Sequence, residues 1–185
     1  MRRLLFLHKA PATLAMALVA TSFAVSPAGA QMAVPSVGVI QDVPGATDRP
    51  DPSLTYKLAF DITSMPSSAD AISPALTGIA RMVNTLRAHG VPANRIQATA
   101  VFHGLPIALV TKDETYRNRT GGKGNPNIDL IRQLAAAGVK FAVCGGSARA
   151  QNYQASDLLP GVTLNLSAPM TFIDLQTRGY VKVDM

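Results

Sequence analysis

Two rhythms of apolar positions alternate along this chain, one with strand spacing and one with helix spacing. Tyr56 to Ile62 (YKLAFDI) is a short strand-like run. After a polar connection from Ser64 to Ala71, Ser73 stands as an N-cap with Pro74 at the first helical position. Leu76, Ile79, Val83 and Leu86 then recur at helical spacing until Gly90 closes the run. Ile96 to His103 (IQATAVFH) is the next strand, and Gly104-Leu105-Pro106 turns into a short apolar segment through Val110. A polar loop leads to Asn127, read as the cap of a helix with Ile128, Ile131 and Leu134 as its inner stripe and Gly138 as its end. Lys140 to Val143 and Thr163 to Leu166 form two more strands. A helix from Ser167 or Ala168 to Arg178 and a fifth strand from Tyr180 to Val183 complete the order.

Strands that alternate with helices predict an α/β fold with a mostly parallel five-stranded sheet covered on both faces. In such sheets ligands and chemistry collect beyond the carboxyl ends of the strands. Two of those ends carry reactive side chains here, His103 and Cys144.

The chain before Tyr56 reads differently. Arg2, Arg3 and Lys9 precede an uncharged run from Ala10 to Val25, and Ala28-Gly29-Ala30 supplies a small-x-small cleavage site, so residues 1–30 have the form of a secretory signal peptide with Gln31 as the new terminus. General secretion fits better than the twin-arginine route, and the expected location is periplasmic or secreted. The apolar run is shorter than the roughly 20 residues a membrane span needs, and none follows it, so the mature form is expected to have no span. Residues 31–55 hold Pro35, Pro44, Pro50 and Pro52 with little periodicity, the pattern of a flexible leader arm. Residues 56–185 are then a single domain.

Export changes the charge argument. The chain's 17 basic and 11 acidic residues become 14 and 11 once Arg2, Arg3 and Lys9 leave. That small excess gives no ground for a nucleic-acid partner, which requires basic residues gathered on one surface. Arg117, Arg119 and Lys123 lie close together but share their stretch with Asp113 and Glu114, as a solvated loop would.

Cys144 is the single cysteine, placed where the apolar run Phe141-Ala142-Val143 breaks into Gly145-Gly146-Ser147. A lone cysteine closes no internal disulfide, which leaves a buried spectator, an intermolecular link or a free thiol. A helix starting near Ser147 would favour a thiolate through its backbone N–H groups, with Gly145 and Gly146 permitting close approach. Packing as a small apolar side chain is the plain alternative, weakened by the oxidising compartment, where an idle thiol invites unwanted disulfides. His103 is a candidate proton shuttle or donor to a bound anion, next to Gly104; its plain alternative is a ring tied to a backbone carbonyl. His89, beside Gly90, is a helix C-terminal dipole partner. The remaining histidines and cysteine have no metal-ligand spacing, and no cofactor is called for. Gly121-Gly122-Lys123-Gly124 lacks the spacing of a phosphate loop and follows no strand.

Val101-Phe102-His103-Gly104, Asn125-Pro126-Asn127 opening a helix, Gly138-Val139, Val143-Cys144-Gly145, Leu175-Gln176 and Gly179-Tyr180 occur in an order that resembles the DsrE/DsrF-like family from Tyr56 to Val183. The resemblance implies a small three-layer α/β sandwich and assembly into trimers or hexamers. For its sulfur-relay members it also implies a persulfide carried on a cysteine after a central strand, where Cys144 lies. Two features depart from that pattern: the relay proteins act in the cytoplasm, and relatives with Cys-Gly often continue with glutamine where this chain has Gly146. The expectation is a periplasmic sulfur carrier or sulfurtransferase-like protein using Cys144, supported by His103 and by Gly104, Gly145, Gly146 and Ser147. Its resolving thiol must come from a partner protein. The alternatives are a non-catalytic module binding a small anion or metabolite, and an oligomeric interaction protein with an incidental cysteine.

Overall fold

A computed structural model describes residues 32–185; the expected signal peptide, its expected cleavage site and Gln31 lie outside them. Five strands, β1 (Tyr56–Ile62), β2 (Ile96–Phe102), β3 (Val139–Cys144), β4 (Val162–Asn165) and β5 (Val181–Asp184), form one sheet in the order β4-β3-β2-β1-β5. Every pairing is parallel. Parallel neighbours need crossovers, and five α-helices occur between the strands: α1 (Pro74–Ala88), α2 (Asp113–Thr120), α3 (Ile128–Ala136), α4 (Gly145–Ala150) and α5 (Ala168–Thr177).

The period of two along each strand divides the core. Phe60, Ile62, Ala100, Phe102, Phe141 and Val143 pack with Leu76, Ile79 and Val83 of α1 and with Ile131 and Leu134 of α3. Ala59, Val101, Ala142 and Cys144 point to the opposite face and meet Ala168, Phe172 and Leu175 of α5. Helices therefore cover both faces, which gives the three-layer α/β architecture, and α5 carries the chain from one edge of the sheet to the other.

Local sequence explains most boundaries. Ser73 caps α1 through its side chain with Pro74 behind it, and Ser167 caps α5 in the same way. Several expected boundaries move. β3 begins at Val139 and includes Cys144, β4 runs from Val162 to Asn165, and β5 from Val181 to Asp184. The polar stretch after Val110 holds α2, whose apolar anchor is the buried Tyr116, so its eight residues show almost no periodicity. Asn127 precedes α3 but makes no side-chain cap. Its Oδ1 instead accepts the Ser73 N–H at 2.8 Å and its Nδ2 donates to Asn125 Oδ1, which ties the two helix starts together. On α3, Leu130 replaces Ile128 among the fully buried positions.

The arm before β1 bonds to both α1 and α3: the Ser36 N–H donates to Gln133 Oε1 at 3.0 Å and the Ile40 N–H to Thr85 Oγ1 at 2.8 Å, and its one buried point is Val34. Val34 is wholly buried, and Asn84 of α1 accepts its N–H at 2.8 Å while donating to the Val34 and Val37 carbonyls at 2.9 and 2.6 Å. Residues 38–49 are exposed. Among the described residues no helix is long and apolar enough to cross a membrane.

Candidate functional site

Cys144 is both the last residue of β3 and the N-cap of α4. That helix begins at Gly145, two residues before the start expected near Ser147, so the sulfur itself does the capping: Sγ accepts the Ser147 N–H at 3.5 Å. Burial pushes the thiol's pKa up, but hydrogen bonds from the Ser147 side chain and from the Ser147, Ala168 and Gly146 amides together outweigh it. The net effect holds the thiol below its ordinary value. Ala168 opens α5, so two helix starts converge on one sulfur.

That convergence also buries it. Cys144 is 6 % exposed and belongs to the apolar cluster beneath α5, against the expectation of an openly accessible thiol. Gly145 allows the close packing: a Cβ there would lie 2.5 Å from the Asn165 carbonyl oxygen and 3.1 Å from that of Leu166. Gly146 differs. A Cβ on it would meet nothing within 4 Å except Cys144 Sγ at 3.8 Å. Gly146 therefore leaves open space directly against the sulfur, at the wall of a groove of about 460 Å³ that runs between Arg149 and Leu166.

His103 follows the last residue of β2 and still donates its N–H to the Ile62 carbonyl at 3.4 Å. It stands two residues beyond Val101, on the same sheet face as Cys144, and the pairing Phe102 with Val143 puts it on the strand next to the cysteine's. Its ring meets no carbonyl. Nε2 donates to Asp61 Oδ1 at 2.6 Å, and Asp61 Oδ2 is 2.7 Å from Lys182 Nζ, which also reaches Asp184 at 2.7 Å. Hydrogen bonds that Lys182 donates to Asp184 and Asp61 push its ammonium up to about 12. No hydrogen bond links His103 to Cys144 Sγ. With Nε2 held by Asp61, Nδ1 is the nitrogen left to take or give a proton.

Gly104, at φ 68, turns the chain out of β2, and its carbonyl accepts Gln151 Nε2 at 2.8 Å; it braces the site and its N–H makes no contact with the sulfur. Cys144, Gly145, Gly146 and Ser147 are thus brought together, with His103 beside them on the neighbouring strand. Sequence reasoning missed Asp61, Lys182 and Asp184. Asp61 left a trace: an acidic residue between the apolar Phe60 and Ile62 of the YKLAFDI run. Lys182 left none, because β5 becomes β1's neighbour only through the crossover of α5. The Gly121-Gly122-Lys123-Gly124 loop follows α2 rather than a strand. Among the described residues no three His, Cys, Asp or Glu side chains gather as a metal site would require.

No curated protein matches the chain. Among solved structures, a protein of unknown function, MTH1491 from Methanobacterium thermoautotrophicum, aligns at 18% identity over 70% of this chain and 99% of its own, with a TM-score of 0.48. Residues 57–183 match the model of the DsrE/DsrF-like family, the whole sheet from β1 to β5 with its helices, and the chain belongs to that family.

Proposed function

We propose that this chain carries sulfur as a persulfide on Cys144, outside the cytoplasm, and passes it to a thiol on a partner protein. The observation that carries this reading is the placement of Cys144 Sγ at the N-cap of α4, where it accepts the Ser147 N–H at 3.5 Å beside the open space at Gly146; the neighbouring amides hold the thiol below its ordinary value despite its burial. Membership of a family linked to sulfur relay supports it.

The chemistry requires no second cysteine in this chain. The Cys144 thiolate attacks the outer sulfur of a donor persulfide, R–S–SH, forming Cys144–S–SH and releasing R–S⁻. An acceptor thiolate, R′–S⁻, then attacks the outer sulfur of Cys144–S–SH, giving R′–S–SH and restoring the Cys144 thiolate. Each step exchanges one S–S bond for another with no net oxidation. The reacting sulfur reaches Cys144 through the space at Gly146, and His103, oriented by Asp61 at the end of the neighbouring strand, serves proton movement. Amides that favour the thiolate also favour the persulfide anion, which rests in the same place.

Native mass measurement of freshly isolated protein, before and after exposure to a low-molecular-weight persulfide, tests the reading. One added sulfur on the wild type and none on Cys144→Ser is expected; no added sulfur on the wild type refutes it. Gly146→Leu should slow loading by shielding Sγ.

Export rests on the basic start, the uncharged run and Ala28-Gly29-Ala30; cell fractionation should find the mature chain starting at Gln31 outside the cytoplasm. Assembly into trimers or hexamers is supported by an apolar patch of Met170 and Ile173 on α5 with Leu166 just before its cap, all more than half exposed. Light scattering that reports a monomer would reject it.

A further inference from the structure

On the carboxyl side of the sheet a second cleft opens, of about 550 Å³, between the segment after β1 and the segment after α4. Its size is that of a small-molecule site. Neither Cys144 nor His103 lines it, and Gln151, which bonds to the Gly104 carbonyl at 2.8 Å and that of Ser147 at 3.3 Å, stands in its wall.

The two walls differ in chemistry. One presents Arg119, from the last turn of α2, whose guanidinium lies 4.4 Å from the centre of the Tyr153 ring. Its Nη2 donates to the Asn152 carbonyl at 2.8 Å, and Asn152 is the one described non-glycine residue at positive φ, 55°. A backbone turn that few residues adopt thus aims an acceptor at the arginine and holds it over the ring. Among the described residues no carboxylate lies within salt-bridge reach of Arg119, unlike its helix neighbour Arg117, which pairs with Asp113. Asp70 accepts the Lys123 N–H, and Asp157 accepts the Gln154 N–H and the Thr115 hydroxyl. The facing wall is apolar, with Met65 and with Leu105, which is 70 % exposed. The Ser67 hydroxyl lies at the rim.

We infer that this cleft binds a small organic anion, a carboxylate or sulfonate on a short apolar body. The acid head takes the free edge of the Arg119 guanidinium, and the body covers Leu105 and Met65. A planar guanidinium with unused parallel donors suits a two-oxygen acid head, and stacking on Tyr153 lowers the cost of orienting it. The inference is independent of sulfur chemistry at Cys144.

Amide shifts of the intact protein titrated with hexanoate test it, with hexan-1-ol and hexylammonium as controls. Saturable shifts at Ser67, Leu105 and Asn152 are expected for hexanoate. Losing the charge-assisted bonds should weaken binding about tenfold or more in Arg119→Gln and with hexan-1-ol. Leu105→Asp, a change at an exposed position that leaves the core untouched, should repel hexanoate equally. Unperturbed amides outside the cleft show that each variant is folded. Shifts absent from the cleft, an affinity unchanged in Arg119→Gln, or equal binding of hexan-1-ol overturns the proposal.

Discussion

Two adjacent glycines, Gly145 and Gly146, should respond oppositely to alanine. At Gly145 the new Cβ falls 2.5 Å from the Asn165 carbonyl oxygen and 3.1 Å from that of Leu166. Both obstacles are backbone, so relief requires moving the segment between β4 and α5, and overpacking of this kind costs about 1–3 kcal/mol. Alanine's better helix propensity recovers at most about 1 kcal/mol. At Gly146 the new Cβ meets only Cys144 Sγ, at an ordinary 3.8 Å, and the same propensity gain of up to about 1 kcal/mol has nothing to offset it. The variants should therefore differ by about 1–3 kcal/mol, which at a urea slope of about 1–3 kcal/mol/M is a midpoint difference on the order of 1 M. The same movement in Gly145→Ala carries the Ala168 amide away from the sulfur, so the thiol pKa should rise in that variant and stay low in Gly146→Ala. Urea unfolding followed by circular dichroism, with iodoacetamide alkylation rate against pH, reads both effects. Equal midpoints and equal alkylation profiles would refute the idea that the close approach at Gly145 sets the sulfur's environment.

Three further outcomes follow from the same contacts. Because the folded Cys144 thiol titrates below its ordinary value of about 8.5, the stability it contributes is fully present above the unfolded value and is lost as pH falls through the folded one. The urea midpoint of wild type relative to Cys144→Ser should thus climb with pH only within that window, and a constant difference would contradict the lowered pKa. Asp61→Ala removes the partner of His103 Nε2 and should cost about 1 kcal/mol, at the low end for a charged bond because the ring is a third exposed and can turn to water; an unchanged urea midpoint would show that the bond contributes nothing. Asn84→Ala leaves the buried Val34 amide and carbonyl without partners and should cost about 2 kcal/mol, with protease cutting the arm before Tyr56 while the remainder stays intact; an arm as resistant as in the wild type would show that Asn84 does not hold it.

The order of the strands, the Ser73 cap and the position of Cys144 at a strand end were legible in the chain, because each depends on residues within a turn or two of one another. The resemblance carried by Val101-Phe102-His103-Gly104 and Val143-Cys144-Gly145 was legible for the same reason: those motifs are contiguous. What tertiary structure decided is everything that joins distant segments. Helix α2 is held by Tyr116 burying itself under the loop after β1, and without that contact its polar sequence has no reason to coil. The Asp61–His103–Lys182 chain exists because β2 and β5 flank β1, a neighbourhood that local periodicity does not encode. The state of Cys144 is the clearest case: its place at a strand end was legible, but the strand passes directly into α4 with no turn between, and the thiol is buried with its pKa lowered because the amide of Ala168, from the far side of β4, arrives at the same sulfur. Local patterning chooses elements through short-range sterics and hydrogen bonds. Packing chooses which side chains share an environment, and the chemistry of this site depends on that environment.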